Sequence, residues 1–66
     1  MITVNGQAAA ELEPGLTIRA LLDALGAPDR GVAVAVDAEV VPRGQWEAFA
    51  VPDGARVEVL TAVQGG

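Results

Sequence analysis

The spacing of apolar positions switches between a period of two and a period near four along the chain, and each switch predicts an element. Ile2 and Val4 flank Thr3, which puts them on one face of a strand over 1–4. Asn5-Gly6 follows and predicts a type I′ hairpin turn, because both residues tolerate positive φ. A second strand is expected through about Ala8–Glu13, weakly specified because alanine has little strand preference. Pro14-Gly15 is the next turn. Ile18, Leu21, Leu22 and Leu25 then recur at i, i+3, i+4 and i+7, one apolar stripe on a helix. Thr17 can cap its amino end, Gly26 can take the left-handed conformation that stops it, and Pro28 ensures the stop.

Alternation returns at Val32-Ala33-Val34-Ala35-Val36, a strand with three valines on one face. Asp37-Ala38 turns the chain, and Glu39-Val40-Val41 is a brief return strand ended by Pro42. Arg43 to Phe49 reads as irregular or a single turn, and its Trp46 and Phe49 are expected as core plugs, the only aromatic bulk present. Val51-Pro52-Asp53-Gly54 is another turn, and the last strand runs over 56–63, followed at once by Gln64-Gly65-Gly66. The order β-β-α-β-β-β defines a two-layer α+β domain over 1–63, with 64–66 as a flexible tail. The helical crossover would let the last strand lie parallel beside the first.

Composition narrows the chemistry. At 66 residues the chain makes one small domain, and its 52% hydrophobic content suffices for a core. It has no Cys and no His, which removes disulfides, thiolate nucleophiles and the usual zinc ligands. Ser, Tyr and Lys are also missing, leaving three Thr and nine carboxylates as candidate reactive groups. The carboxylates Glu11, Glu13, Asp23, Asp29, Asp37, Glu39, Glu47, Asp53 and Glu58 are scattered without metal-loop spacing, so no metal site and no catalytic residue is expected. A net charge of −5 disfavours nucleic acid and anionic membrane and favours basic protein partners. No apolar run reaches the length of a membrane span and no signal-like amino terminus is visible, so the expectation is a soluble, cytoplasmic protein.

With side chains so poor in reactive groups, Val63-Gln64-Gly65-Gly66 draws the search. Two glycines without Cβ atoms are thin enough to thread a narrow channel in another protein. A carboxylate delivered there could be activated as an acyl-adenylate, with ATP and magnesium held by a separate enzyme. Attack by a sulfur donor would leave a thiocarboxylate. The bland reading is a frayed glycine tail.

The sequence resembles the ThiS family of ubiquitin-like β-grasp proteins, the sulfur carriers of thiamine biosynthesis. The resemblance rests on Val4-Asn5-Gly6, Thr17-Ile18-Arg19-Ala20-Leu21-Leu22 with Leu25-Gly26, and Val32 to Val36 with Glu39-Val40-Val41-Pro42-Arg43. It continues through Trp46, Asp53-Gly54, Val57-Glu58-Val59-Leu60 and Ala62-Val63-Gln64-Gly65-Gly66. The family often has Asn-Gly where this chain has Asp37-Ala38, and a second acidic residue in place of Ala55. The resemblance implies a β-grasp fold, a mixed four- to five-stranded sheet packed on one helix. It further implies that a ThiF-like enzyme adenylates Gly66, with Gln64 and Gly65 threading its active site. A cysteine desulfurase or another donor supplies sulfur indirectly, and thiazole synthase accepts it from the Gly66 thiocarboxylate. The protein is then a co-substrate and not an enzyme, with no bound cofactor; ATP and Mg are used by its partner.

The last strand also offers an interface. Val57, Val59, Thr61 and Val63 share the expected helix-facing side, and Arg56, Glu58, Leu60 and Ala62 share the other. Leu60 is then an apolar residue on a solvent face, and Leu60, Ala62 and Val63 are candidate partner contacts. Rival readings keep the carrier but change its acceptor (molybdopterin, thiolated tRNA or cysteine), or make the chain a ubiquitin-like interaction or modifier module.

Overall fold

A computed structural model describes residues 1–28 and 30–61 of the chain. Its elements are β1 (Thr3–Val4), β2 (Gln7–Ala8), α1 (Ile18–Leu25), β3 (Val32–Val36), β4 (Glu39–Val41), a 3₁₀ turn (Arg43–Gln45) and β5 (Arg56–Thr61). The strands form one five-stranded sheet in the order β2-β1-β5-β3-β4. Only β1 and β5 are parallel, with Thr3 opposite Arg56 and Val4 opposite Val57. The other pairs are antiparallel, so the sheet is mixed. This is the β-grasp arrangement, with β5 in the middle of the sheet.

The helix forms where its stripe and its caps agree. The Thr17 hydroxyl accepts a hydrogen bond from the Ala20 N–H at 3.1 Å, and Gly26 closes the other end at φ +71°. Ile18, Leu21 and Leu22 are buried against Ile2, Val34, Val36 and Val57 of the sheet layer. Each such side chain contributes about 1.5–3 kcal/mol by leaving water. Leu25 departs from the expected stripe and is 40% exposed. It is the last helical residue, directly before the Gly26 cap.

The second strand is also shorter than its expected span of Ala8–Glu13, ending at Ala8. After Ala9 donates to the Ile2 carbonyl, the chain curls and Leu12 N–H returns to the Ala9 carbonyl. Both Ala9 and Leu12 are buried. Turning the chain inward buries Leu12, which extension along an exposed edge would not do.

Trp46 plugs the core as expected, 2% exposed, with its indole N–H donating to the Val41 carbonyl at 3.0 Å. Phe49 is half-buried and packs on the same cluster. The guanidiniums of Arg19 and Arg43 lie 5.4 and 5.9 Å from the Trp46 ring centre, which seals the indole beneath two cations. Segment 46–51 is stitched to the helix start through Arg19 to Trp46, Ile18 to Phe49 and Val51 to Leu16 backbone bonds.

Candidate functional site

The site begins with the strand that leads to the diglycine. β5 is gripped on both sides at its start. Its Arg56 N–H donates to the Asp37 carboxylate at 2.9 Å, while the Asp37 N–H donates to the Arg56 carbonyl at 2.8 Å. Across the other side, Thr3 N–H donates to the Ala55 carbonyl and Asn5 N–H to the Val57 carbonyl. Asn5 adds a second grip with its side chain. Its Oδ1 accepts from the Val59 N–H at 2.9 Å, and its Nδ2 donates to the Val59 carbonyl at 3.1 Å.

Both gripping residues sit in turns where the sequence placed turns, the type having been specified only for Asn5-Gly6. Asn5 and Gly6 have φ of 51° and 83°; Asp37 and Ala38 have 50° and 71°. The Asp37-Ala38 departure from Asn-Gly therefore keeps the geometry, with an alanine in a backbone region that glycine occupies more cheaply.

Leu60 is 68% exposed on the sheet face away from the helix, where the sequence placed it. Ala33 lies opposite it on β3, and Val40 of β4, 75% exposed, lies opposite Ala35. Gly31, Val32, Ala33, Leu60 and Thr61 line a shallow recess at the end of β5. The face thus carries Leu60 and Val40 as large apolar groups with small alanines between the strands. Val40 escaped the sequence reading, although Val41 pointing into the core already required Val40 to point out. The roles of the Asn5 and Asp37 side chains were also missed, since a turn signal says nothing about a strand 54 or 19 residues away. On the helix side, Val57 is buried, Val59 half-buried and Thr61 exposed, because the core tapers toward the end of β5.

The remaining candidates, Ala62, Val63, Gln64, Gly65 and Gly66, lie outside the described residues, as does Asp29. Among the described residues no group of His, Cys, Asp or Glu could hold a metal ion. No helix among them is long and apolar enough to cross a membrane. Among the described residues Asp53 is the one carboxylate whose acidity is clearly displaced. A hydrogen bond from the Met1 ammonium, and then the charge of that ammonium, hold it below its ordinary 3.8.

A five-stranded mixed sheet on one helix, with its central strand leading into a diglycine, defines a ubiquitin-like β-grasp protein. The model of the ThiS family matches residues 2–66, and the chain belongs to that family. The sulfur carrier protein ThiS of Escherichia coli K12 is 34% identical over 65 residues, covering 98% of this chain and 97% of that protein. A thiazole synthase of Paramagnetospirillum magneticum is also 34% identical over 65 residues, but this chain spans only 20% of its length. Among solved structures, the crystal structure of the thiamine biosynthesis protein ThiS from Geobacter metallireducens superposes with a TM-score of 0.80. It is 34% identical, with 98% of this chain and 97% of that one covered. The solution structure of a thiamine biosynthesis protein from the same organism gives 0.81 at 34% identity, covering 98% and 86%.

Proposed function

We propose that this chain is a sulfur carrier for the thiazole moiety of thiamine, and that Gly66 is the residue that carries the sulfur. The observation that supports this reading most is the central strand β5, gripped from both sides and followed in the sequence, after Ala62-Val63, by Gln64-Gly65-Gly66. A rigid body that aims a slender segment suits a co-substrate, whose chemistry takes place inside another protein's active site.

In this reading a ThiF-like enzyme, using ATP and magnesium, lets the Gly66 carboxylate attack the α-phosphate. The acyl-adenylate forms and diphosphate leaves. A sulfur nucleophile then attacks the acyl carbon and AMP leaves. With hydrosulfide the product is the thiocarboxylate directly. With a protein persulfide made by a cysteine desulfurase, a further thiol must cleave the resulting acyl disulfide. Thiazole synthase takes the sulfur from the thiocarboxylate. Gly65 and Gln64 thread the partner's channel, while Leu60, with Ala62 and Val63, meets the partner's surface. The negative charge of the chain favours approach to basic grooves. The place of action is the cytoplasm, where these partners and ATP would be met.

Exchange of labelled diphosphate into ATP by a ThiF-like enzyme tests the first step. The intact chain is expected to support exchange and a chain lacking Gly66 to abolish it. Equal exchange with both chains would refute the assignment of Gly66.

A further inference from the structure

We infer that Asn5 is a positioning residue for delivery of Gly66, fixing β5 at Val59 from its β1 side. The inference rests on the sulfur-carrier reading above. The register of β5 shows why one side chain matters so much. Arg56, Glu58 and Leu60 turn their backbone groups toward β3, whereas Ala55, Val57 and Val59 turn theirs toward β1. On that second side the strand partner runs out early, because β1 ends at Val4 and the chain turns back at Asn5-Gly6. The Asn5 amide replaces the missing strand residue. It presents one acceptor and one donor to Val59, standing in for the two backbone groups that a continued parallel strand would supply.

Among the described residues this pair of bonds is the last hydrogen-bonded tie of β5 on its β1 side. Beyond it β5 is held by β3 alone, through Leu60 opposite Ala33. From Val59 to Gly66 is seven residues, a reach of at most about 25 Å. A strand tied on two sides at Val59 gives that reach a fixed base, whereas one tied on a single side can pivot about β3. A base that wanders leaves the carboxylate less often within reach of the α-phosphate it must meet in line, which costs rate. The same residue therefore performs two separable jobs. Its positive φ makes the turn, and its amide holds the strand.

Asn5→Gly separates them, because glycine keeps the turn at φ +51° and removes only the amide. In the free protein, the Val59 amide proton is expected to exchange about five- to tenfold faster, with β3 and α1 amides unchanged. In adenylation by a ThiF-like enzyme, kcat is expected to fall about fivefold at unchanged KM, since Leu60 and its face are untouched. Asn5→Asp keeps the acceptor for the Val59 N–H and loses the donor to the Val59 carbonyl. It should retain Val59 protection and recover part of kcat. Unchanged Val59 exchange, or unchanged kcat with faster exchange, would overturn the positioning role. So would a rise in KM alone, which would make Asn5 a docking contact. A loss of activity that follows the unfolded fraction on warming would reduce it to a structural residue. If the wild-type chain is not adenylated while its Val59 amide is protected, the carrier reading fails, and the delivery role falls with it although the tie stands.

Discussion

Ala38 carries a φ of +71° in the turn between β3 and β4, a conformation in which its Cβ crowds the backbone. Glycine there relieves that crowding and loses some chain entropy in exchange. The net gain expected for Ala38→Gly is about 0.5–1 kcal/mol, or roughly 2–8 °C in Tm for a domain this small. A lowered Tm in a thermal melt would show that the turn tolerates alanine without strain. Asp53 illustrates a smaller, pH-dependent effect. Its carboxylate is held below 3.8 by the Met1 ammonium, so the unfolded chain takes up that proton first as pH falls. The contribution is present above about pH 3.8 and fades as acid titrates the folded carboxylate. Asp53→Asn should lower Tm slightly near neutral pH and leave it unchanged well below the folded pKa. An equal deficit at both pH values would assign the loss to something other than charge.

At the scale of elements, the 43–51 segment is held by one indole more than by regular structure. Trp46→Phe keeps an aromatic ring in the core but leaves the Val41 carbonyl without its donor and loosens the Arg19 and Arg43 stacking. The expected cost is about 2–3 kcal/mol, read from denaturant unfolding. A cost below half a kilocalorie would mean that the ring's bulk alone supports the segment. The helix and the β3–β4 hairpin were legible in the sequence because their signals are local. Period, cap and stop all fall within ten residues of one another around Ile18–Leu25. The second strand was not, because nothing local distinguishes an alanine-rich strand from a turn. Its fate was decided by where Leu12 could be buried. The exposure of Leu25 is likewise a matter of tertiary packing, which no helical pattern records.

For the whole molecule, the sheet has one side closed by the helix and another that presents Leu60 and Val40 to solvent. Leu60→Thr puts a β-branched residue, which suits a strand, in place of leucine and removes the apolar surface. Stability is expected to stay within about 0.5 kcal/mol, while KM for a ThiF-like enzyme rises about tenfold. An unchanged KM would leave Leu60 as a lone exposed leucine without a role. The candidate site was largely legible in the sequence. The diglycine, the strand before it and the exposed Leu60 follow from residue types and alternation. The grips of Asn5 and Asp37 on β5 were not, since they join positions that only the assembled sheet brings together.

The central claim is that Gly66 carries sulfur. The most direct measurement is the intact mass of the chain after incubation with ATP, magnesium, a ThiF-like enzyme and sulfide. The expected result is a gain equal to the replacement of one oxygen by sulfur, lost when Gly66 is deleted. An unchanged mass, with the activating enzyme shown competent on its own carrier, would contradict the account.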